Sequence, residues 1–312
     1  MQAFPFLSVL TLLPLVGAIV VATLPRDNPR LVKATALGFS LAVAAFAGLM
    51  WAAYNVTGDR FQFRESYPWI PQWGVKFTFA ADGIALVMLA LIALLTPIVI
   101  LASWHDAERT DTGEPGRRSV PAFFALLLAL ECTMIGVFAA ADVFLFFVFF
   151  EAMLVPMYFL IGSFGGARRQ YAAVKFFVYS LAGSALLLAA LIGLWVISAD
   201  QLGQATFDWA KLSQLDISQN TQRWLFLGFF VAFAVKAPFF PFHTWLPDAG
   251  GAAPAGTAAI LVGVLDKAGT FGMLRYCLPL FPDASRYFAP MVLVIALIGV
   301  LYAALLAIGQ ND

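Results

Sequence analysis

The sequence predicts an all-α membrane protein, a polytopic bundle of about nine transmembrane helices. Of its 312 residues, 62% are hydrophobic and 12% are charged, whereas soluble domains average about 45–50% apolar and about 25% charged residues. The apolar residues fall into runs of about 20, the length that a helix needs to cross the hydrocarbon core of a bilayer. Lipid offers no partner to exposed backbone groups, so each run is expected to be helical. No β-strand is predicted.

Nine apolar runs are long enough to span the membrane. They cover residues 4–24, 31–53, 79–103, 120–141, 143–163, 172–198, 224–245, 254–275 and 287–309. Only Asp142 separates the fourth run from the fifth, which predicts an antiparallel helical hairpin with Asp142 near the membrane surface. The first run has no basic residue before it and no small-residue cleavage site, so it is not expected to be a removable signal peptide.

The connections between the runs include four polar loops, residues 25–33, 55–76, 104–119 and 200–223. Residues 55–76 hold several aromatic side chains punctuated by glycine and proline, which predicts an ordered hairpin outside the membrane. Trp209 and Trp224 in and beside the last loop are expected to anchor the chain at the interface.

The distribution of lysine and arginine favours an external N-terminus. In that orientation the inner loops hold Arg26, Arg30, Lys33, Arg109, Arg117, Arg118, Arg168 and Arg169. The outer connections hold Arg60, Arg64, Lys76, Lys211, Arg223, Arg275 and Arg286. The margin is small, but the basic residues of the short loops follow the positive-inside rule.

Composition also excludes several classes of function. The net charge is zero, which argues against a strongly basic surface for a nucleic-acid partner. Cys132 and Cys277 are too few for a disulfide framework. With only His105 and His243 as histidines, no metal-ligand spacing is present.

Four of the apolar runs carry an ionisable residue near their middle: Glu131, Glu151, Lys236 and Lys267. A charge at the bilayer centre costs at least ~2.5–3.5 kcal/mol. One interpretation is that these residues pair off to hold the helices together, although Ser, Thr and Asn usually do this. The interpretation that we favour is a path for protons or other ions. Asp266 points about 100° away from its neighbour Lys267, so it is expected to contact a different polar group.

The segment after Lys236 predicts a broken helix. Pro238 lacks an N–H and frees the carbonyl of Ala234, and Pro241 acts in the same way one turn later. Broken helices at membrane depth are tolerated where they line a hydrated cavity or are buried in protein. His243 would share a face with Lys236 on a continuous helix and could pass a proton onward, but a structural histidine near the interface is an equally good interpretation.

Two segments resemble a known family. They read FFEAMLVPMYFLIG (149–162) and AFAVKAPFFPFHTWLPDA (232–249). They are similar to the antiporter-like membrane subunits of respiratory complex I, in the form typical of bacterial subunit M, the counterpart of mitochondrial chain 4. The similarity covers the fourth to ninth runs. The first three runs match the family only in their general apolar character.

The resemblance implies a proton-translocating subunit of NADH:quinone oxidoreductase, driven by redox chemistry in partner subunits. By motif position, Glu151 corresponds to the family's paired glutamate and Lys236 to its partner lysine on the broken helix. Lys267 corresponds to the lysine of the next helix, and Glu131 resembles an additional glutamate. With His243, these residues form the expected proton path.

The resemblance also implies a division of the chain. Residues 1–119 would form N-terminal helices and loops, residues 120–275 a first five-helix repeat, and residues 276–312 the start of a second, inverted repeat. The chain would be roughly the first three-fifths of such a subunit. After the second motif the family usually continues with a histidine, where this chain has Gly250 and Gly251, so any role of that histidine is absent or moved.

The expected partners are the lipid bilayer and other membrane-arm subunits of complex I, including neighbouring antiporter-like subunits, and no nucleic acid. The expected location is the bacterial plasma (inner) membrane. No cofactor is expected in this chain, because NADH, FMN, iron–sulfur clusters and quinone would bind to partner subunits. The chain would then be a translocase subunit without a redox centre.

Two alternative functions stay open. One is a cation/proton antiporter or membrane-bound hydrogenase subunit of the same ancestry, and the other is a non-transporting scaffold.

Overall fold

The computed structural model describes residues 4–107 and 119–309, which are mainly helical. In chain order the helices are α1 (Phe6–Thr23), α2 (Pro29–Ala53), α3 (Gly83–Ala102), α4 (Val120–Ala139), α5 (Val143–Ala152), α6 (Leu154–Phe164), α7 (Arg169–Leu202), α8 (Trp209–Leu212), α9 (Gln219–Lys236), α10 (Trp245–Ala252), α11 (Ala255–Ile260), α12 (Asp266–Gly272), α13 (Leu278–Leu280) and α14 (Pro282–Ile308). Within the described ranges, eight helices or continuous helical segments are long and apolar enough to cross a membrane. The predicted all-α transmembrane bundle is confirmed.

The seventh predicted span, residues 224–245, is not a single helix, which accounts for eight such segments instead of nine. α9 begins on polar residues at Gln219 and ends at Lys236, two residues before Pro238. Residues 237–244 form turns, and α10 follows them. The predicted break near Lys236 is therefore confirmed, while the predicted extent of the span is wrong.

Two strands lie outside the membrane-spanning helices, so the prediction of no strand is wrong. β1 (Gln62–Ile70) and β2 (Val75–Ala81) pair antiparallel. A short 3₁₀ turn over Pro71–Trp73 joins them and ends at Gly74, which has a φ of +68°, a left-handed conformation that glycine adopts without strain. The ordered hairpin expected between the second and third spans is confirmed.

The hairpin packs over one end of the bundle, here called the hairpin end. The backbone N–H of Ala141, between α4 and α5, donates to the carbonyl of Thr78 in β2 at 2.9 Å. The backbone N–H of Val143 donates a hydrogen bond to the carbonyl of Phe207, also at 2.9 Å. These bonds satisfy backbone groups between the end of α4 and the start of α5. α10 lies at the opposite end.

Asp142 caps α5 beneath the hairpin, where the sequence predicts a surface position. Its carboxylate accepts hydrogen bonds from the backbone N–H groups of Phe144 and Leu145, both at 3.0 Å, and of Lys76 at 3.2 Å. Burial, with a smaller contribution from the nearby charge of Asp208, raises the pKa of Asp142 to about 6. The hairpin thus covers a residue that the sequence alone places at the interface.

The predicted orientation and domain boundaries remain predictions. Three of the basic residues used for the orientation, Arg109, Arg117 and Arg118, lie outside the described residues. The boundary expected after residue 275 falls inside the helical segment Ala255–Leu280.

Candidate functional site

Lys236 is the last residue of α9, and its side chain is buried inside the bundle. Only 1% of its surface is exposed. In the described part of the chain its Nζ has no hydrogen-bond partner, but it lies 4.7 Å from the ring centroid of Phe150 and 5.7 Å from that of Phe176. Aromatic faces attract an ammonium group but cannot accept its proton. The Lys236 ammonium is therefore stabilised by aromatic rings, and no carboxylate of the described residues is in direct contact with it.

The helix break beside Lys236 is closed by protein groups. The carbonyl of Ala234, which Pro238 leaves free, accepts from the backbone N–H of Phe239 at 2.8 Å. The carbonyl of Val235 accepts from the indole N–H of Trp245 at 2.8 Å. These two carbonyls do not need the water that the sequence suggests for the break. The break is thus a fixed structure, with the Trp245 side chain tying α10 to the end of α9.

Glu151 faces Lys236 without touching it. The Glu151 carboxylate is partly buried at the end of α5 and lies within electrostatic range of Lys236, with the Ser184 hydroxyl nearby. No salt bridge within 4.0 Å joins Glu151 to Lys236 among residues 4–107 and 119–309, and the Glu151 Oε1 atom has no hydrogen-bond partner there. The structure places the predicted partners Glu151 and Lys236 near each other, but their side chains are not in direct contact.

One face of α7 completes the wall of the site. Phe176, Ser180 and Ser184 follow each other at intervals of four residues, which places them on the same side of the helix. Ser184 donates to the carbonyl of Ser180 at 2.9 Å, while the buried hydroxyl of Ser180 has no partner within the described ranges. The sequence analysis missed these serines, although two serines four residues apart in an apolar run are the signal that finds them.

The structure places Asp266, and not Lys267, beside Lys236. Asp266 is 5% exposed, lies within electrostatic range of Lys236 and has an Oδ1 atom without a partner in the described residues. Lys267 is exposed on a different face of α12, where its Nζ donates to the carbonyl of Val262 at 3.1 Å. The resemblance assigns the lysine of this helix to the path, and the geometry separates it from Lys236.

Glu131 lies apart from this cluster, in the middle of α4. It is fully buried, and neither carboxylate oxygen has a partner within residues 4–107 and 119–309. Thr96 of α3 is its polar neighbour, but the Thr96 hydroxyl donates to the carbonyl of Ile92 at 2.9 Å. Glu131 is therefore an isolated buried acid within the described part of the chain.

His243 does not share a helical face with Lys236, because α9 ends before it. Its ring lies in the turn between α9 and α10 and packs against Phe240 at 5.7 Å and Tyr302 at 5.1 Å between centroids. Its buried Nδ1 atom has no partner in the described part of the chain. The same-face argument is wrong for this chain, and a role for His243 in the path stays a prediction.

An aromatic layer separates the Lys236 site from the hairpin end. It consists of Phe146, Phe150, Phe233 and Tyr276, all at most 2% exposed. Their rings touch in series: Phe146 lies 4.5 Å from Tyr276 and 5.4 Å from Phe150, which lies 5.8 Å from Phe233. So close a packing of apolar surface excludes water from this side.

The polar atoms around Lys236 require partners that the described residues do not supply. Native proteins satisfy nearly all buried polar atoms, and ordered water does so where protein groups do not. Here one ammonium, one oxygen of each of two carboxylates and one serine hydroxyl lack a partner among the described residues. Water between an ammonium group and carboxylates allows a proton to pass from one to the other, so the site is suited to proton transfer.

Residues 140–312, more than half of the chain, match the family described as NADH:quinone oxidoreductase/Mrp antiporter, transmembrane. The chain belongs to this family. It is 44% identical over 339 residues to NADH-quinone oxidoreductase subunit M of Mycobacterium tuberculosis, with 100% of this chain and 61% of that relative covered. It is 39% identical over 310 residues to NAD(P)H-quinone oxidoreductase chain 4 2 of Thermosynechococcus vestitus, with 99% and 56% covered.

Solved structures of this family and its relatives share the fold. A chain of respiratory complex I from Thermus thermophilus with bound NADH superposes with a TM-score of 0.83 at 29% identity, covering 98% of this chain and 60% of that one. A chain of the Mrp complex from Dietzia sp. DQ12-45-1b gives a TM-score of 0.70 at 22% identity, covering 89% and 29%. The predicted family is confirmed, and the similarity extends to the first spans as well. The chain spans about three-fifths of the length of the curated relatives that it matches.

Proposed function

We propose that the chain forms part of a proton-translocating membrane subunit of NADH:quinone oxidoreductase, in a bacterial plasma membrane and beside other antiporter-like subunits. Support comes from relatives named as subunit M and chain 4 of this enzyme and from the match of fold to a complex I chain. The chain itself would contribute proton transfer, while NADH, FMN, iron–sulfur clusters and quinone would bind in partner subunits.

The observation that carries this proposal is the buried ammonium of Lys236, which no hydrogen bond holds within the described residues. A nearby carboxylate stabilises the charged lysine, and burial without one favours the neutral amine. If Glu151 approaches Lys236, the lysine binds a proton; if Glu151 withdraws, the ammonium releases it. The separated pair in the structure fits a site that alternates between these states.

The energy for this transfer would come from outside the chain. Moving one charge against a potential of about 180 mV costs about 4 kcal/mol. Redox chemistry in partner subunits would supply it by shifting the distance between Glu151 and Lys236. In this proposal the chain is a subunit of a translocase enzyme and holds no redox centre of its own.

Three variants of Lys236 in the assembled complex test the proposal. Lys236→Ala removes the proton-binding group, and Lys236→Arg keeps a charge that arginine does not release, so both are expected to abolish pumping into sealed vesicles. A purely structural ion pair predicts otherwise, because Arg would replace Lys and the double change Glu151→Gln/Lys236→Met would restore function. Pumping retained in Lys236→Arg, or restored in the double variant, would contradict the proposal.

A second candidate is a subunit of a cation/proton antiporter, because the description of the matched family includes the Mrp antiporter. A membrane-bound hydrogenase subunit of the same ancestry belongs to this class of alternatives. Two measurements separate the candidates. Co-purification with an NADH-oxidising soluble subunit favours the first function, and proton movement driven by a sodium gradient without any redox substrate favours the second.

A further inference from the structure

Asp266 is a buried acid that neither the motifs nor the family resemblance assigns to the proton path. It is nearly as buried as Lys236, and its Oδ1 atom has no hydrogen-bond partner within residues 4–107 and 119–309. The adjacent Lys267 is exposed and faces away. The charges that face Asp266 belong to Lys236 of α9 and to Lys267 of its own helix.

A π-helical turn sets the rotation of α12, on which the two neighbours point about 100° apart. Leu261–Leu265 form a π turn immediately before α12. Such a turn holds one extra residue, and each residue advances an α-helix by about 100°, so it rotates the following segment about the helix axis. The Lys267 ammonium reaches back to the carbonyl of Val262 within this turn. The turn thus directs Asp266 inward and Lys267 outward.

Close helix packing holds Asp266 at the end of α9. Gly269 lies three residues after Asp266 and therefore on the same face. A Cβ atom at Gly269 would lie 2.6 Å from the carbonyl oxygen of Phe233 and 2.7 Å from the backbone nitrogen of Ala237. α12 therefore contacts the last turn of α9 backbone to backbone, and this contact brings the Asp266 carboxylate to the level of Lys236.

We propose that Asp266 is an intermediate proton carrier, which accepts a proton from Lys236 and passes it to Lys267. The proposal rests on the proposed function of the Lys236 site. It answers a geometric problem, since Lys267 is exposed on a different face of α12 whereas Asp266 is buried beside Lys236. A carrier on the same helix, with its carboxylate on the inner side, joins the two lysines.

The transfer balances in two steps. First, an N–H bond of the Lys236 ammonium breaks and an O–H bond forms on Asp266, directly or through water, which leaves a neutral amine and a carboxylic acid. Next, the O–H bond of Asp266 breaks and an N–H bond forms on a neutral Lys267 amine, which restores the Asp266 carboxylate. Lys267 must have released its previous proton beforehand, and no oxidant or reductant takes part.

The competing interpretation is that Asp266 only supplies a counter-charge to Lys236. A counter-charge stays ionised throughout, whereas a carrier becomes a carboxylic acid in each cycle. The two roles therefore differ in a vibrational signal, the C=O stretch of a protonated carboxyl group. This signal does not depend on whether the variant retains pumping.

The test compares Asp266→Asn and Asp266→Glu in the assembled complex. Asp283→Asn is the matched control, because Asp283 is an exposed aspartate near the start of α14. Pumping into sealed vesicles should fall about 100-fold or more in Asp266→Asn, since a positioned proton-transfer group contributes about 10²–10⁴ in rate. Asp266→Glu should retain part of it, and Asp283→Asn all of it. Infrared difference spectra recorded during turnover should lose one carboxylic-acid band in Asp266→Asn only.

Either of two results would overturn the inference: normal pumping in assembled Asp266→Asn, or an unchanged set of carboxylic-acid bands in that variant. If Asp266→Asn does not assemble, Asp266→Glu decides, because the band must then shift relative to the unmodified complex. A complex that never pumps protons would refute the proposed function. The infrared comparison would still show whether Asp266 takes up a proton.

Discussion

At the residue scale, the surroundings of Lys236 explain why a lysine suits the end of α9 better than an arginine. The rings of Phe150 and Phe176 stabilise a compact ammonium, and a desolvated cation–π contact is worth about 2 kcal/mol. A guanidinium would bring five N–H donors into a place where the described residues offer Lys236 no acceptor. It would also remain charged. The pocket thus fits a group that is able to lose its proton.

The two buried glutamates are expected to differ in importance. Glu151→Gln removes the carboxylate that faces Lys236, so the assembled complex should lose most proton pumping and most coupled quinone reduction. Glu131→Gln changes an acid with no charged partner among the described residues, so the loss of pumping in this variant should be smaller. Both variants keep the shape of the side chain and are compared in membranes with equal subunit content.

The ranking is checked by measuring quinone reduction and vesicle acidification in the same preparations. Equal losses, or a greater loss in Glu131→Gln, would reverse it. Normal pumping in Glu151→Gln would remove Glu151 from the path.

At the element scale, α10 depends on α7 for its position, because it is only eight residues long and follows a break. Lys175 of α7 forms a salt bridge with Asp248 of α10, with Nζ and Oδ2 2.7 Å apart. Four residues further along α7, the Tyr179 hydroxyl lies 2.8 Å from that of Thr244. α7 therefore aligns α10 along one side, and α10 in turn carries the indole that caps the end of α9.

Asp248→Asn is expected to loosen this alignment and to admit water to the Lys236 site. Both partners of the ion pair are partly exposed, at 20% and 27% of their side chains, so the loss in stability should be only about 1 kcal/mol or less. Access is measured in a Ser180→Cys background by the rate at which an aqueous thiol reagent labels the cysteine. That rate should rise by about fivefold, the equivalent of about 1 kcal/mol.

Asp208→Asn is the control, because it removes an ion pair, that of Asp208 with Arg64, at the hairpin end and away from α10. It should leave the labelling rate unchanged. The two native cysteines, Cys132 and Cys277, are buried and give the background. An equal rise in both variants would mean that general loosening, and not the position of α10, controls access.

The elements also show what the sequence predicts and what it does not. Apolar length is enough to find most spans, and the prolines after Lys236 predict the break, because a missing N–H acts locally. The π turn over Leu261–Leu265 leaves no comparable signal, since its residues are ordinary apolar ones. The inward direction of Asp266 therefore required the structure. The strands were missed because they lie in a loop, where the length of apolar runs carries no information.

At the scale of the whole molecule, charged residues join the hairpin end to helices from distant parts of the chain. Arg275, in the π turn before α13, pairs with Asp82 at 2.5 Å, and Arg64 of β1 pairs with Asp208 at 3.1 Å. Each aspartate also caps a helix: Asp82 accepts from the N–H of Ala85 at 3.0 Å, and Asp208 caps α8. The caps and the ion pairs together hold the hairpin end closed.

Arg275→Met is expected to destabilise this end strongly. The Arg275 and Asp82 side chains are 2% and 8% exposed, and breaking a buried pair costs about 3–5 kcal/mol. Among the described residues, the variant would leave Asp82 with only the more distant and mostly exposed Arg60 as a counter-charge. Thermal unfolding of the purified complex, or subunit content in membranes, measures the effect. Arg60→Met is the control: Arg60 lies 3.9 Å from Asp82 and is 59% exposed, so its loss should amount to less than about 1 kcal/mol. Comparable losses would contradict this account.

α7 contacts α10 and lies beside Glu151 through Ser184, and it has no break in its own 34 residues. At about 1.5 Å per residue it measures about 51 Å, well beyond the hydrocarbon thickness of about 30 Å. The segments around it are interrupted, at Met153, at residues 237–244 and at the π turns. A helix of this length can act as a lever arm: a tilt of about 5° about Ser184 would move each end by roughly 2 Å. A small displacement beside the carboxylate of Glu151 would then become a shift of atomic size at both ends of α7.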